Sequence, residues 1–213
     1  MMPGAVIIGA GPGIGRSVAR RFAREGMPVA LLSRTGTTLD LDGVLGFEAD
    51  VADEARLRAA LDAATAELGV PDAVVYNAAV IRPDTPGEAN AREQLDAWAV
   101  NVVGALAAAS HVLPAMARRG AGSFLVTGGM PEPKAAYVSL SLGKAGVRTL
   151  VELLDQEYGP SGVHVASVTV AGPVAPGTDF DPDDIAEHYW RLHTQPPDRW
   201  EREALHAGEG VRR

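Results

Sequence analysis

The residues best suited to chemistry lie near the start of the chain. Gly4-Ala5-Val6-Ile7-Ile8-Gly9 reads as a buried strand, apolar and rich in β-branched residues, and it breaks on Ala10-Gly11-Pro12-Gly13-Ile14-Gly15. Arg16-Ser17-Val18-Ala19-Arg20-Arg21-Phe22 follows at helical spacing. A glycine turn between a buried strand and a helix lets backbone N–H groups close on a phosphate, and the helix dipole favours the anion there. A Cβ would block either the tight turn or the approach of a pyrophosphate. The same glycines also suit a βα turn that binds nothing, so other positions must decide. The spacing is G-x-x-x-G-x-G, on Gly9, Gly13 and Gly15, and not G-x-G-x-x-G.

The end of the second apolar run discriminates between dinucleotides. An acid there would take the ribose 2′-hydroxyl of NAD, whereas an arginine accommodates the 2′-phosphate of NADP. The chain reads Ser33-Arg34-Thr35, with the nearest downstream acid at Asp40. A guanidinium can pair bidentately with a phosphate. Arg34 therefore points to NADP(H), its alternative being a solvated surface residue.

Further positions carry a resemblance in chain order. Asp50-Val51 follows the third strand, Asn77-Ala78-Ala79 the fourth, and Ala171-Gly172-Pro173-Val174 the sixth. Asn101 and Lys144 stand within two predicted helices. With the glycine spacing, this series resembles the short-chain dehydrogenase/reductase family over nearly the whole chain. The resemblance implies a cofactor site of Gly9, Pro12, Gly13, Ile14, Gly15, Ser33, Arg34, Asp50, Val51, Asn77, Ala78, Ala79, Lys144, Gly172 and Val174. Asp50 and Val51 would reach the adenine, although Asp50 would equally serve as a helix cap. Lys144 would hold the nicotinamide ribose, and Asn101 would structure an active-site water.

The resemblance fails where protons are handled. The family uses a tyrosine four residues before the lysine, on the same helix face, and a serine at the end of the fifth strand. Here Leu140 precedes Lys144 by four, and the strand ends in Val126-Thr127-Gly128-Gly129. The catalytic set implied is Lys144 and Asn101, with Tyr137 as the nearest phenol. A proton donor and a pocket wall both remain open for Tyr137. Seven residues of helix span about 10.5 Å, and helical side chains lean toward the N-terminus. Tyr137 is therefore expected to line the pocket while water or substrate supplies the proton. Ser141 is a neighbour of Lys144, but a hydroxyl of this kind is a poor acid.

Alternating strands and helices have to position these groups. Strands are expected at Ala5–Gly9, Pro28–Ser33, Val44–Ala49, Ala73–Tyr76, Ser123–Thr127 and Val163–Val170, with a terminal edge strand over Glu201–His206. Helices are expected from Ile14 to a stop at Gly26, over Glu54–Leu68, over about Arg92–Arg119 with Pro114 kinking its end, over Ala136–Tyr158 and over Pro182–His193. Leu57, Leu61, Ala64 and Leu68 form one buried stripe, and Leu95, Trp98, Val102, Leu106 and Ala109 another. This alternation implies right-handed crossovers and an α/β fold, a Rossmann-type doubly wound parallel sheet with helices on both faces. Residues 1–213 are expected to form one domain.

Bulk properties narrow the function. The chain has 213 residues, a formal charge of −8 and no cysteine. Disulfides and thiolate chemistry are excluded, and nucleic acid is not expected as a partner because phosphate neutralisation needs a basic face. No apolar run is expected to reach the length of a membrane span, about 18 residues. No metal site is expected: Asp179, Asp181, Asp183 and Asp184 suit a helix cap around Pro182, and the five histidines lack ligand spacing. The expected protein is cytoplasmic and acts on a small molecule. It is also expected to be a homodimer or homotetramer, since its two long helices resemble those that assemble relatives. The expected activity is NADP(H)-dependent oxidoreduction of a carbonyl, imine or otherwise activated substrate with an altered catalytic set. Two alternatives stay open: a cofactor-binding protein without redox turnover, and a redox-neutral isomerase or cyclase.

Overall fold

The computed structural model describes residues 4–208. Seven strands form one sheet: β1 (Ala5–Ile8), β2 (Val29–Ser33), β3 (Val44–Glu48), β4 (Ala73–Tyr76), β5 (Gly122–Gly129), β6 (Val163–Val170) and β7 (Glu203–His206). All pairings are parallel, in the order β3-β2-β1-β4-β5-β6-β7. The order reverses between β1 and β4, where Ile7 pairs with Leu31 on one side and Val75 on the other. In such sheets this switch opens a crevice beyond the strands' carboxyl ends.

Alternation along each strand separates two cores. Val6 and Ile8 of β1, with Val74 and Tyr76 of β4, face α2 (Glu54–Leu68), α4 (Gly104–Arg119) and α5 (Val138–Tyr158). Ala5, Ile7, Ala73 and Val75 face α1 (Ile14–Arg24) and α6 (Pro182–His193). Strands buried on both faces read as continuous apolar runs, as these do. The stripe Leu57, Leu61, Ala64 and Leu68 is buried, and Asp53 caps α2 by accepting from the Arg56 amide at 3.1 Å.

The segment expected as one helix from Arg92 is two helices joined by a π turn. α3 covers Ala91–Trp98, Ala99–Val103 forms the π turn, and α4 follows without a break through Pro114 to Arg119. Val102 and Ala109 are buried as expected, but Leu95, Trp98 and Leu106 are 66%, 41% and 47% exposed. The residue inserted by the π turn shifts the helical phase. The face on the sheet is instead made of Ala105, Ala108, Ala109 and Val112, small enough for close approach. At Gly104 an added Cβ would lie 2.4 Å from the Tyr76 hydroxyl. The span Ala91–Arg119 is, contrary to expectation, long and apolar enough to cross a membrane, and half of its most apolar window is buried against the rest of the chain.

Other boundaries move slightly. β5 extends to Gly129, β7 starts at Glu203, and α5 starts at Val138 instead of Ala136. Asp181 caps α6 through the Asp183 amide at 2.8 Å, and Asp183 accepts from Ser17 at 2.6 Å, tying α6 to α1. Among the described residues no group of three or more acids and histidines could hold a metal. His164 bridges the Leu192 and Glu201 carbonyls at 2.9 Å each and stacks on Trp200.

Candidate active site

A cleft of about 1490 Å³ runs along the carboxyl edge of the sheet. Its floor at the switch point is the turn from β1 into α1. Gly9 has φ +79°, and a Cβ there would sit 2.3 Å from the Ala78 amide nitrogen, so only glycine fits. Gly13 is different: a Cβ would meet nothing within 4 Å, so it borders open space. α1 has no side-chain cap. The Arg16 and Ser17 amides bond back to Gly11 and Gly13, at 2.9 and 3.2 Å, leaving the Ile14 and Gly15 amides without a backbone partner among the described residues. Orphan amides at a helix start, bordering a cleft, could hold an anion.

Most of the residues chosen from sequence meet in this cleft. Gly9, Gly13, Ile14, Gly15, Ser33, Arg34, Asp50, Val51, Asn77, Ala78, Ala79, Tyr137, Lys144, Gly172 and Val174 all line it. Pro12 does not: it is exposed and lies outside the cleft lining. The Ser33 hydroxyl is buried with no hydrogen-bond partner among the described residues, beside the exposed Arg34. A buried unpaired hydroxyl is costly unless something completes it. Asp50 accepts from the Ala52 amide at 3.0 Å, an Asx turn leading into α2.

Asn101 lies behind the cleft wall, in the π turn instead of an α-helix. Its Oδ1 accepts from the Val80 amide at 2.7 Å, and its Nδ2 is buried without a partner among the described residues. α5 crowds it from the other side, since a Cβ at Gly143 would lie 2.7 Å from the Asn101 side chain.

The far end of the cleft is built on Thr127. Lys144 Nζ donates to the Thr127 carbonyl at 2.6 Å. Burial alone pulls the Lys144 ammonium down to about 8. The Thr127 hydroxyl contacts Asn77 Oδ1 at 2.8 Å and the Tyr189 hydroxyl at 2.6 Å. An amide oxygen only accepts, so Thr127 donates to Asn77 and Tyr189 donates to Thr127. Asn77 Nδ2 then donates to the Gly9 carbonyl at 3.0 Å. This chain links α6 to the glycine turn. Burial raises the Tyr189 phenol well above its ordinary range. Neither Tyr189 nor this role of Thr127 was found from sequence, because a tyrosine on a helical stripe looks like any core aromatic.

Tyr137 is not on the helix. It is the residue before α5, with φ −144° and ψ 57°, and its amide bonds to Lys134 at 2.9 Å. The reason is Asp84, which sequence reasoning also missed. The Asp84 amide donates to Ala136 at 3.0 Å, and its carbonyl accepts from Val138 at 3.1 Å. Its buried carboxylate accepts from the Ser139 amide at 3.1 Å and from the Ser139 hydroxyl, and so caps α5 from 55 residues away. Ser141 faces the same loop, accepting from the Lys134 amide at 3.0 Å, and is not part of the cleft wall. Leu140 lines the cleft one turn before Lys144. Met130, after β5, has φ +45°, a strained value for a side chain with a Cβ. Arg148 holds it there by donating to the Gly129 and Met130 carbonyls at 3.1 Å each.

The short chain dehydrogenase family matches residues 4–183. An uncharacterized short-chain type dehydrogenase/reductase of Sinorhizobium fredii is 30% identical over 181 residues, covering 78% of this chain and 72% of that protein. The 4-formylbenzenesulfonate dehydrogenase of Comamonas testosteroni is 32% identical over 178 residues, covering 77% and 70%. Among solved structures, an alcohol dehydrogenase from the archaeon Thermococcus sibiricus, complexed with 5-hydroxy-NADP, superposes with a TM-score of 0.85 at 25% identity, covering 96% of each chain. A putative short-chain dehydrogenase/reductase from Burkholderia xenovorans gives a TM-score of 0.88 at 22% identity, covering 99% of this chain and 97% of that one.

Proposed function

Because the chain belongs to the short chain dehydrogenase family, we propose that it is an NADP(H)-dependent oxidoreductase of a small carbonyl, imine or otherwise activated substrate, with an altered catalytic set. The observation that carries this reading is the unpaired Ser33 hydroxyl beside Arg34, in the same cleft as the orphan amides of Ile14 and Gly15. Those amides suit a diphosphate, and Ser33 with Arg34 suits a 2′-phosphate. Asp50 and Val51 would border the adenine, and Lys144 the nicotinamide ribose. When bound, the dinucleotide supplies hydride chemistry. The chain's residues orient the substrate at the Thr127 end and exclude water there with Leu140, Tyr137 and Val174.

Leu140 and Gly129 at that end favour the second reading, a cofactor-binding protein without turnover or a redox-neutral enzyme, since neither side chain handles a proton. Single-turnover consumption of bound NADPH with a panel of carbonyls and imines separates the two, and only the oxidoreductase reading requires it. The reading also includes a cytoplasmic homodimer or homotetramer that does not take nucleic acid as partner. Support for the oligomer is the exposed stripe of Leu95, Trp98, Val103 and Leu106 along α3, the π turn and α4, with Leu142 and Leu153 on α5. Light scattering that shows only monomer at micromolar concentration would remove that part.

A further inference from the structure

We propose that Lys144 is itself the acid that protonates the substrate heteroatom in this cleft, a role that rests on the oxidoreductase reading above. Its Nζ is buried in the cleft wall and gives one N–H to the Thr127 carbonyl, with further donors left over. One turn earlier on α5, Leu140 offers no proton. At Gly129 an added Cβ would sit 3.7 Å from Lys144 Cε and 3.9 Å from Cδ, so position 129 places no hydroxyl beside the lysine stem.

The nearest arginines are engaged elsewhere. Arg148, also on α5, clasps the Gly129 and Met130 carbonyls. Across the cleft, Arg82 faces Asp84 and Glu93. Lys134 and Tyr137 come from the loop before α5, and Tyr189 behind β5 donates to Thr127. None of them shifts Lys144. Burial is the one cause that brings its ammonium to about 8, into the range where an acid exchanges protons near neutral pH. Composition points the same way: of 19 lysines and arginines, only Lys134 and Lys144 are lysine. An arginine would keep the charge but could not release a proton.

The substrate C=O or C=N carbon gains a hydride from reduced nicotinamide dinucleotide, and the π pair moves onto the heteroatom. That atom takes a proton as the Lys144 Nζ–H bond breaks. The products are an alcohol or amine, the oxidised dinucleotide and a neutral lysine, which takes a proton back from water.

With only two lysines, protein labelled with carbon-13 at lysine Cε gives two side-chain signals to titrate. In the cofactor-free protein the Lys144 signal should have its midpoint near 8. NADPH consumption in single turnover should be steady below about pH 7 and fall about tenfold per pH unit above the Lys144 midpoint. Lys144→Arg, saturated with NADPH, should react at least about a hundredfold more slowly than wild type, without that pH break. A Lys144 midpoint above about 10, the ordinary lysine range, overturns the proposal, as does a Lys144→Arg variant that keeps the wild-type rate and break. Should that variant not fold, the wild type decides: an NMR midpoint measured with NADPH bound that does not coincide with the rate break overturns the proposal. No NADPH consumption by wild type with any acceptor overturns the oxidoreductase reading as well, whereas turnover with the break intact in Lys144→Arg overturns the proton donor alone.

Discussion

The β1–α1 turn and the β5–α5 junction line the same cleft, but backbone shapes the first and side chains shape the second. At the turn, what matters is a φ that only Gly9 can hold and the open space beside Gly13. At the junction, Lys144 donates to the Thr127 carbonyl, Tyr189 to the Thr127 hydroxyl, and Ser139 to the carboxylate of Asp84, so side chains from distant parts of the chain hold it. A backbone-built site leaves its mark as spacing in one short stretch. A side-chain-built site leaves scattered single letters, each of which has an ordinary structural use.

Substitutions at the turn should show the largest effect. Gly9→Val places a β-branched residue at φ +79° against the Ala78 amide, and should cost more than about 3 kcal/mol of stability in urea unfolding. Gly13→Ala, facing open space, should change stability by less than about 1 kcal/mol yet weaken NADPH binding about tenfold, read by calorimetry. Equal stability losses in the two variants would erase the distinction between a packing glycine and a ligand-facing one.

At the junction, Asp84→Ala should cost about 2–3 kcal/mol by uncapping α5 and leaving the Ser139 amide and hydroxyl without their acceptor. Burial opposes the Asp84 charge, but hydrogen bonds from Ser139 and the nearby Arg82 outweigh it and hold the carboxyl below its usual range. A depressed carboxyl stabilises the fold above the unfolded value and loses that stabilisation as pH falls through the folded one. The variant should therefore flatten the acid limb of stability below about pH 4. An unchanged acid limb, measured by unfolding across pH 2–6 in roughly unit steps, would show that Asp84 is not the helix's anchor.

Arg34→Ala tests the side chain that serves the backbone-built end. NADPH affinity should fall by about 1–3 kcal/mol while NADH affinity stays the same. A parallel loss for both dinucleotides would take Arg34 away from the 2′-phosphate. The smallest effect is expected at Tyr137→Phe, less than about tenfold in turnover with NADPH affinity intact. A drop in the range of about 10²–10⁴, typical of a lost acid, would transfer the proton from Lys144 to Tyr137.

The glycine turn, the two-sided strands and the stripe Leu57, Leu61, Ala64 and Leu68 were legible because each depends on residues within a few positions of one another. The face of α3 and α4 was not. Leu95, Trp98 and Leu106 share a phase with Val102 and Ala109 only on an uninterrupted α-helix, and the π turn at Ala99–Val103 removes that condition. Nothing in Ala99-Val100-Asn101-Val102-Val103 announces the turn by propensity. It places Asn101 with Oδ1 on the Val80 amide and its Nδ2 unpaired toward the interior.

By itself the sequence determined the doubly wound order of elements and the place of the glycine turn, since periodicity and glycine conformation are local properties that survive in any context. The start of α5, the geometry of Tyr137 and the linkage from Tyr189 through Thr127 and Asn77 to Gly9 were decided only in three dimensions. Buried polar groups have to find partners wherever the fold brings them, and those partners lie 50 to 68 residues apart along the chain.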